Sequence, residues 1–421
     1  MGPTAPPDLV AVAPAATARR FPRIVLALAF GLLLADYMSR QVLSAVFPIL
    51  KSEWTLTDTH LATLSSVVAL MVGLLTFPLS IVADRWGRVR SLVVMAVLWS
   101  IATLLCALST GYGQMLGARF LVGVGEAAYG SVGIAVVLGV FARRRHAALS
   151  GAFMAGGSFG SVLGVGLGGV LAVQFGWRWS FVAMAVFGLV LVALFGVLVT
   201  EKRLARHAQV TEEAPGRAPL SSLFTSPPVW CAYLGSGLQM FTAAVLLSWT
   251  PSYFNRYYGL GPDKAAGLAA GAVLLVGSGM IVCGMITDRL GRDDPRRRWS
   301  TTIAYCTISL TCLGLGFQLS PGPVQLTLIA IGAFFAAGSS GPTAAMVASL
   351  THGSVRASAM GTLTVANNVL GLALGPLVVG VLADRLGLQG ALQLAPLVYL
   401  GAIAALVLGR RLHARPQVTT S

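Results

Sequence analysis

Only three lysines occur in 421 residues, and none of them follows a glycine. A phosphate-cradling loop of the Gly-Lys-Ser/Thr kind therefore has no place in the chain, and with it goes any built-in ATPase. The five histidines (His60, His146, His207, His352 and His413) fall near loops without metal-ligand spacing, so no metal site is expected. Gly-Ser-Ser-Gly at 338–341 lacks the spacing of a nucleophile elbow. The five cysteines (Cys106, Cys231, Cys283, Cys306 and Cys312) form no C-x-x-C and sit inside apolar runs, where they read as small packing residues rather than disulfides. Charge is scarce too, at 10% of residues. No enzymatic activity and no cofactor is expected of such a chain.

What is present is apolar. Hydrophobic residues make up 56% of the sequence and the mean hydropathy is +0.80, more than a water-soluble domain can hide. Twelve runs of bilayer-spanning length follow one another, from 24–47 through 113–139 and 229–254 to 390–409. They are continuous rather than alternating, which excludes a large β-barrel. The expected fold is an all-α integral membrane protein. Arg19-Arg20 before the first run faintly resembles an export signal. Because that run is needed to complete twelve, it is read as an uncleaved first helix.

The net charge of +15 raises nucleic acid as a partner, and its placement answers the question. With the N-terminus in the cytoplasm, 22 basic residues fall on inner loops and tails and five (Lys51, Arg178, Arg256, Lys264 and Arg385) on outer ones. The positive-inside rule accounts for that asymmetry without nucleic acid. Both termini are expected in the cytoplasm.

One phrase occurs twice. Ser80-Ile-Val-Ala-Asp84-Arg85-Trp-Gly-Arg88 is answered by Gly284-Met-Ile-Thr-Asp288-Arg289-Leu-Gly-Arg292. A second gap-free match aligns 145–171 with 356–382. Two copies of one six-helix bundle are therefore expected, at 21–200 and 229–411, related by a two-fold axis along the membrane normal. A cytoplasmic linker occupies 201–228, and 1–20 and 412–421 are tails.

Four charges sit well inside the runs: Asp36 and Arg40 on the first, Arg119 and Glu126 on the fourth. Each costs at least about 2.5 kcal/mol at a helix centre, and such residues usually mark substrate or proton paths. Asp36 and Arg40 are one turn apart, Arg119 and Glu126 two, so each pair shares a face. Arginine does not give up its proton, which leaves Asp36 or Glu126 as the proton carrier and the arginines as an anion site. The bland reading is a neutral cluster that glues helices one and four. In the second half Gln239, Asn367 and Asn368 are expected to face the cavity, while Trp249 and Tyr253 read as interfacial anchors. Gly156, Gly160, Gly164 and Gly168 form a four-residue ladder that lets another helix approach closely.

The duplicated loop resembles the G-x-x-x-D-R-x-G-R motif of the major facilitator superfamily, complete at Gly284–Arg292 and lacking only its first glycine at Ser80–Arg88. Arg119-x-x-x-Gly123-x-Gly125 is similar to the family's helix-four element, which proton-coupled members carry, and Gly125-Glu126-Ala127 to the spinster-like branch. Asp36-Tyr37-Met38-Ser39-Arg40 resembles the N-Y-x-D-R pattern of spinster-like transporters and anion:cation symporters. Asp36 stands where Asn is usual and Ser39 where Asp is usual, a shift that keeps the carboxylate on one helical face. The ladder is similar to the helix-five motif of drug/proton antiporters, with Val165 in place of that motif's proline.

The resemblance implies a secondary transporter working by alternating access. We expect proton-coupled uptake of a small organic anion by a monomer in the lipid bilayer. Arg40, Arg119, Tyr37, Gln239, Asn367 and Asn368 bind substrate, and Asp36 and Glu126 couple protons. Asp84, Arg85, Arg88, Asp288, Arg289 and Arg292 form a breakable latch. The alternative is proton-driven export of a lipid-like amphiphile or a drug.

Overall fold

A computed structural model describes residues 16–141, 146–207, 226–292, 294, 296–352 and 355–413, and every regular element among them is helical. Most of both expected tails, and 208–225 of the expected linker, lie outside the described residues.

The first half is built from α1 (Ala16–Glu53), α2 (Asp58–Trp86), α3 (Arg88–Leu108), α4 (Tyr112–Glu126), α5 (Tyr129–Gly139), α6 (His146–Phe175) and α7 (Trp177–Leu198). A short α8 (Glu201–His207) follows. The second half comprises α9 (Pro227–Tyr258), α10 (Pro262–Leu290), α11 (Arg296–Gly316), α12 (Pro323–Ala336), α13 (Ser340–Leu350), α14 (Arg356–Ala366), a π-helical stretch at Asn367–Ala373, α15 (Leu374–Leu394) and α16 (Val398–His413).

Ten stretches among the described residues are long and apolar enough to cross a membrane, and they account for the twelve expected runs once two features are seen. The last stretch, Ser358–His413, is two crossings, because Gly387 breaks α15 at φ 75° and ψ 158°. The polar α11 has the length of a crossing, at 21 residues, but opens on three arginines. The fourth and tenth crossings are each interrupted: α4 stops at Glu126 and α12 at Ala336. The helices that resume, α5 and α13, are both 11 residues long and begin 211 residues apart, the offset of the 145–171 repeat. The interruption is thus a property of the duplicated unit. The Ala127 carbonyl freed by the first break accepts from the Thr76 hydroxyl of α2, so the break leaves no orphan there.

Glycines set how closely the helices approach. The α6 ladder lies on α1: Gly156 against Phe30, Gly164 against the Met38 backbone and Gly168 against Val42. Gly169 of the same helix faces Ala266 of α10. A Cβ on Gly164 would fall 2.7 Å from the Met38 carbonyl oxygen, where only backbone movement makes room. Gly164→Ala is expected to cost about 1–3 kcal/mol, read as a lower thermal unfolding midpoint of the purified protein. Gly166→Ala, whose Cβ meets only the Ala270 methyl at 3.6 Å, is expected to leave the midpoint where it was.

Trp249 and Tyr253 are not interfacial anchors. The most apolar window of α9 is 78% buried, so a tryptophan near its end points into protein. The Trp249 ring N–H donates to the Pro376 carbonyl at 3.2 Å, and the ring packs 5.6 Å from Phe47 of the first half. The Tyr253 hydroxyl accepts from the Gln325 amide at 2.8 Å.

Candidate functional site

Two glycines place the buried charges of α4. A Cβ on Gly123 would meet the Val68 carbonyl of α2 at 2.9 Å, and one on Gly125 the Trp99 backbone nitrogen of α3 at 2.6 Å. The helix is therefore drawn against both neighbours, and Arg119 and Glu126 are held on the side that faces α1. Tyr129, just past the break, donates to the Ala29 carbonyl at 2.8 Å and ties α5 to α1.

The four intramembrane charges meet, but not as two symmetrical pairs. Arg40 donates from Nε (3.1 Å) and Nη2 (2.8 Å) to a single oxygen, Oε2 of Glu126. Oε1 of Glu126 and Oδ1 of Asp36 accept from no donor among the described residues, and the two carboxyl groups lie in hydrogen-bonding contact with each other. Arg119 is fully buried and makes no ion pair with a described residue. Its Nε donates to the Leu64 carbonyl (3.2 Å), Nη1 to Ser39 (3.1 Å) and Nη2 to Arg40 (3.4 Å), so it staples α4 to α1 and α2. The Arg40 guanidinium lies 5.2 Å from the centre of the Tyr37 ring, within cation–π range.

Beside this cluster is a cavity of about 40 Å3 between the halves. Arg40, Gln41, Ser44, Ser65 and Arg119 line it from the first half, and Ser248 is among its residues from the second. Gln239, Asn367 and Asn368 lie outside that wall. Gln239 is fully buried, its amide 3.5 Å from the Phe335 carbonyl at the α12 break. Asn368 donates to the Thr364 carbonyl at 2.9 Å. The side-chain oxygens of all three amides lack partners among the described residues. Asn367 and Asn368 open the π-helical stretch, about one turn nearer the duplicated-loop end than Leu372 of the cavity wall. Ser44, Ser65 and Ser248 carry no signal that separates them in sequence from other membrane serines.

Among the described residues, no ion pair joins the duplicated loops across the halves. Asp84 pairs with Arg88 of its own loop at 3.0 Å, both exposed, and Asp288 makes no ion pair with a described residue. Gly87 has φ 106°, whereas its counterpart Gly291 has φ −90°, so the two copies of the motif fold differently.

A charge network between the halves sits at the opposite end. Asp58, buried at the start of α2, accepts from Arg256 of α9 (2.6 and 2.9 Å) and from Lys51 of α1 (2.6 Å). Asp384 of α15 accepts from the backbone N–H groups of Asp58 (2.7 Å) and Thr59 (3.0 Å). A carboxylate from one half thus caps a helix N-terminus of the other. Asp384-Arg385-Leu386-Gly387 is a third Asp-Arg-x-Gly, and that spelling was the available clue.

A profile of the Major Facilitator Superfamily matches residues 29–329. The chain belongs to the major facilitator superfamily. Members of this superfamily are transporters and not enzymes, and the chain is a multi-pass protein of a bacterial membrane. Its two six-helix bundles are those of the superfamily. It is similar to the hexuronate transporter of Bacillus subtilis, with 24% identity over 86% of this chain and 88% of the relative. It is also similar to an MFS-type efflux pump of Mycolicibacterium smegmatis, with 26% identity over 83% and 82%. Among solved superfamily structures it matches a bacterial homologue of the human lysosomal transporter Spinster in an inward-facing, unoccupied conformation. The TM-score is 0.82 at 18% identity, covering 93% of this chain and 97% of the other.

Proposed function

We propose that the protein is a proton-coupled symporter that takes up a small organic anion by alternating access, as a monomer in the bacterial inner membrane. The observation that carries this reading is the Arg40–Glu126 pair: one guanidinium on one carboxylate oxygen, a second oxygen that takes no donor, the Asp36 carboxyl in contact, and a cavity alongside. An incoming carboxylate competes with Glu126 for Arg40. Glu126, itself buried and displaced from its cation, is tolerated only as the neutral acid, because an unpaired buried charge costs several kcal/mol. Anion and proton therefore enter together. Asp36, one turn away on α1, relays the proton, Tyr37 flanks the bound anion, and Arg119 holds the site in shape while adding positive potential. Gln239, Asn367 and Asn368 meet the substrate on its way to the loop end.

In this reading 21–200 and 229–411 are the two moving bodies, joined through 201–228, and the duplicated loops face the cytoplasm. Asp84, Arg85, Arg88, Asp288, Arg289 and Arg292 latch the loop end in the state opposite to the one seen. The hexuronate transporter among its relatives and the serine-lined cavity favour a hydroxylated acid. A second reading, proton-driven export of a drug or a lipid-like amphiphile, draws on the likeness to an efflux pump.

The test is a pH measurement in proteoliposomes holding purified protein and a trapped pH dye, challenged with hexuronates, aldonates, aromatic carboxylates, lysolipids and cationic drugs. Internal acidification on adding one external anion, absent from protein-free vesicles, supports symport and names the substrate class. A response to drugs or lysolipids alone moves the assignment to the exporter.

A further inference from the structure

A groove of about 590 Å3 lies on the outer face of the first half, at the duplicated-loop end, between α3, α7 and the start of α8. Two local features create it. Gly196 of α7 has no side chain opposite Val93 of α3, and a Cβ there would meet the Val93 methyls only at 3.7 and 3.9 Å. The chain then turns so that Glu201 reaches back, its Oε1 accepting from the Val89 N–H at 2.7 Å. That contact caps α3 and uses the one acidic group at the groove on a helix N-terminus.

The lining is divided by chemistry. Val93, Val94 and Gly196 form an apolar cleft that runs into the exposed apolar surface of α7, where Val190 is 52% and Val197 73% accessible. Trp86 stands exposed at the rim, the position an indole takes at a membrane interface. Arg90 and Lys202 flank the mouth, both exposed, and neither makes an ion pair with a described residue. Two unpaired cations over an apolar cleft that opens on the bilayer side fit a ligand with an anionic head and a hydrocarbon tail.

We propose that this groove binds an anionic phospholipid, its phosphate between Arg90 and Lys202 and one acyl chain in the cleft over Gly196. A soluble anion has no use for the cleft, and a zwitterionic lipid brings its own cation against the two at the mouth. The site is separate from the Arg40–Glu126 cavity and independent of what the protein carries.

Native mass spectrometry of the full-length protein tests it, with dioleoylphosphatidylglycerol and dioleoylphosphatidylcholine offered at equal concentration. The wild type is expected to retain one phosphatidylglycerol in preference. Arg90→Gln with Lys202→Gln should weaken that binding on the order of thirtyfold, about a factor of five per cation. Gly196→Leu keeps every charge, fills the cleft, and should also expel the lipid. Arg410→Gln with Arg411→Gln removes as much charge elsewhere and should leave binding unchanged. Equal loss in that control pair would reduce the effect to diffuse attraction and overturn the site. Retention of phosphatidylglycerol by Gly196→Leu would overturn it as well.

Discussion

Glu126→Gln is expected to keep substrate binding and to lose accumulation driven by a proton gradient. Glutamine imitates the protonated acid, so Arg40 is released to the substrate without waiting for a proton. Affinity should stay the same or rise, because none of the binding energy is spent on displacing a carboxylate. Exchange of labelled for unlabelled substrate, which needs no net proton movement, should continue. Arg40→Ala should do the opposite. Removing one partner of a buried, hydrogen-bonded charge pair typically costs about 2–5 kcal/mol, which is roughly thirtyfold or more in affinity at any pH. Binding measured calorimetrically, alongside uptake and exchange in proteoliposomes, separates the two variants. Concentrative uptake by Glu126→Gln would remove Glu126 as the coupling group and leave Asp36.

Asp58→Asn is expected to open the end of the molecule that this structure closes. The buried Asp58 carboxylate holds Arg256 across the halves and Lys51 within its own, and asparagine leaves both cations unmatched. Arg256 and Lys51 are part-exposed, so the loss falls between surface and buried pairs, about 1–3 kcal/mol. For a two-state transporter that shifts the population between its states roughly 5- to 150-fold. Hydrogen exchange followed by mass spectrometry should show faster exchange in the first turns of α2 and around Asp384, with the core of α9 unchanged. Asp384→Ala removes the cap on the α2 N-terminus and should act in the same direction with a smaller effect, about 0.5–2 kcal/mol. Unaltered exchange in both variants would mean that apolar packing such as Phe47 on Trp249, and not charge, keeps this end shut.

The two gates differ in how much of them sequence reveals. The Asp84 and Asp288 loops announce themselves because the motif is repeated, yet among the described residues the ion pair of Asp84 stays within its own loop. The Asp58 network is scattered over residues 51, 58, 256 and 384, and each of those charges read singly is an ordinary loop residue. The same holds at the centre. That Asp36, Arg40, Arg119 and Glu126 belong together follows from the cost of charge in a membrane. That Arg40 takes Glu126 while Arg119 takes three backbone carbonyls does not follow, because both arginines have the same reach and either acid is a legitimate partner.

By itself the sequence determined the class, the duplication and the crowded charges. Apolar run length, loop charge and repeated spelling are local properties that need no neighbour to be read. The π-helical turn at Asn367, the burial of Trp249 and the Gly196 groove were decided by the tertiary structure. Each depends on what a second helix places within a few ångströms, and that distance is set by packing between segments far apart in the chain.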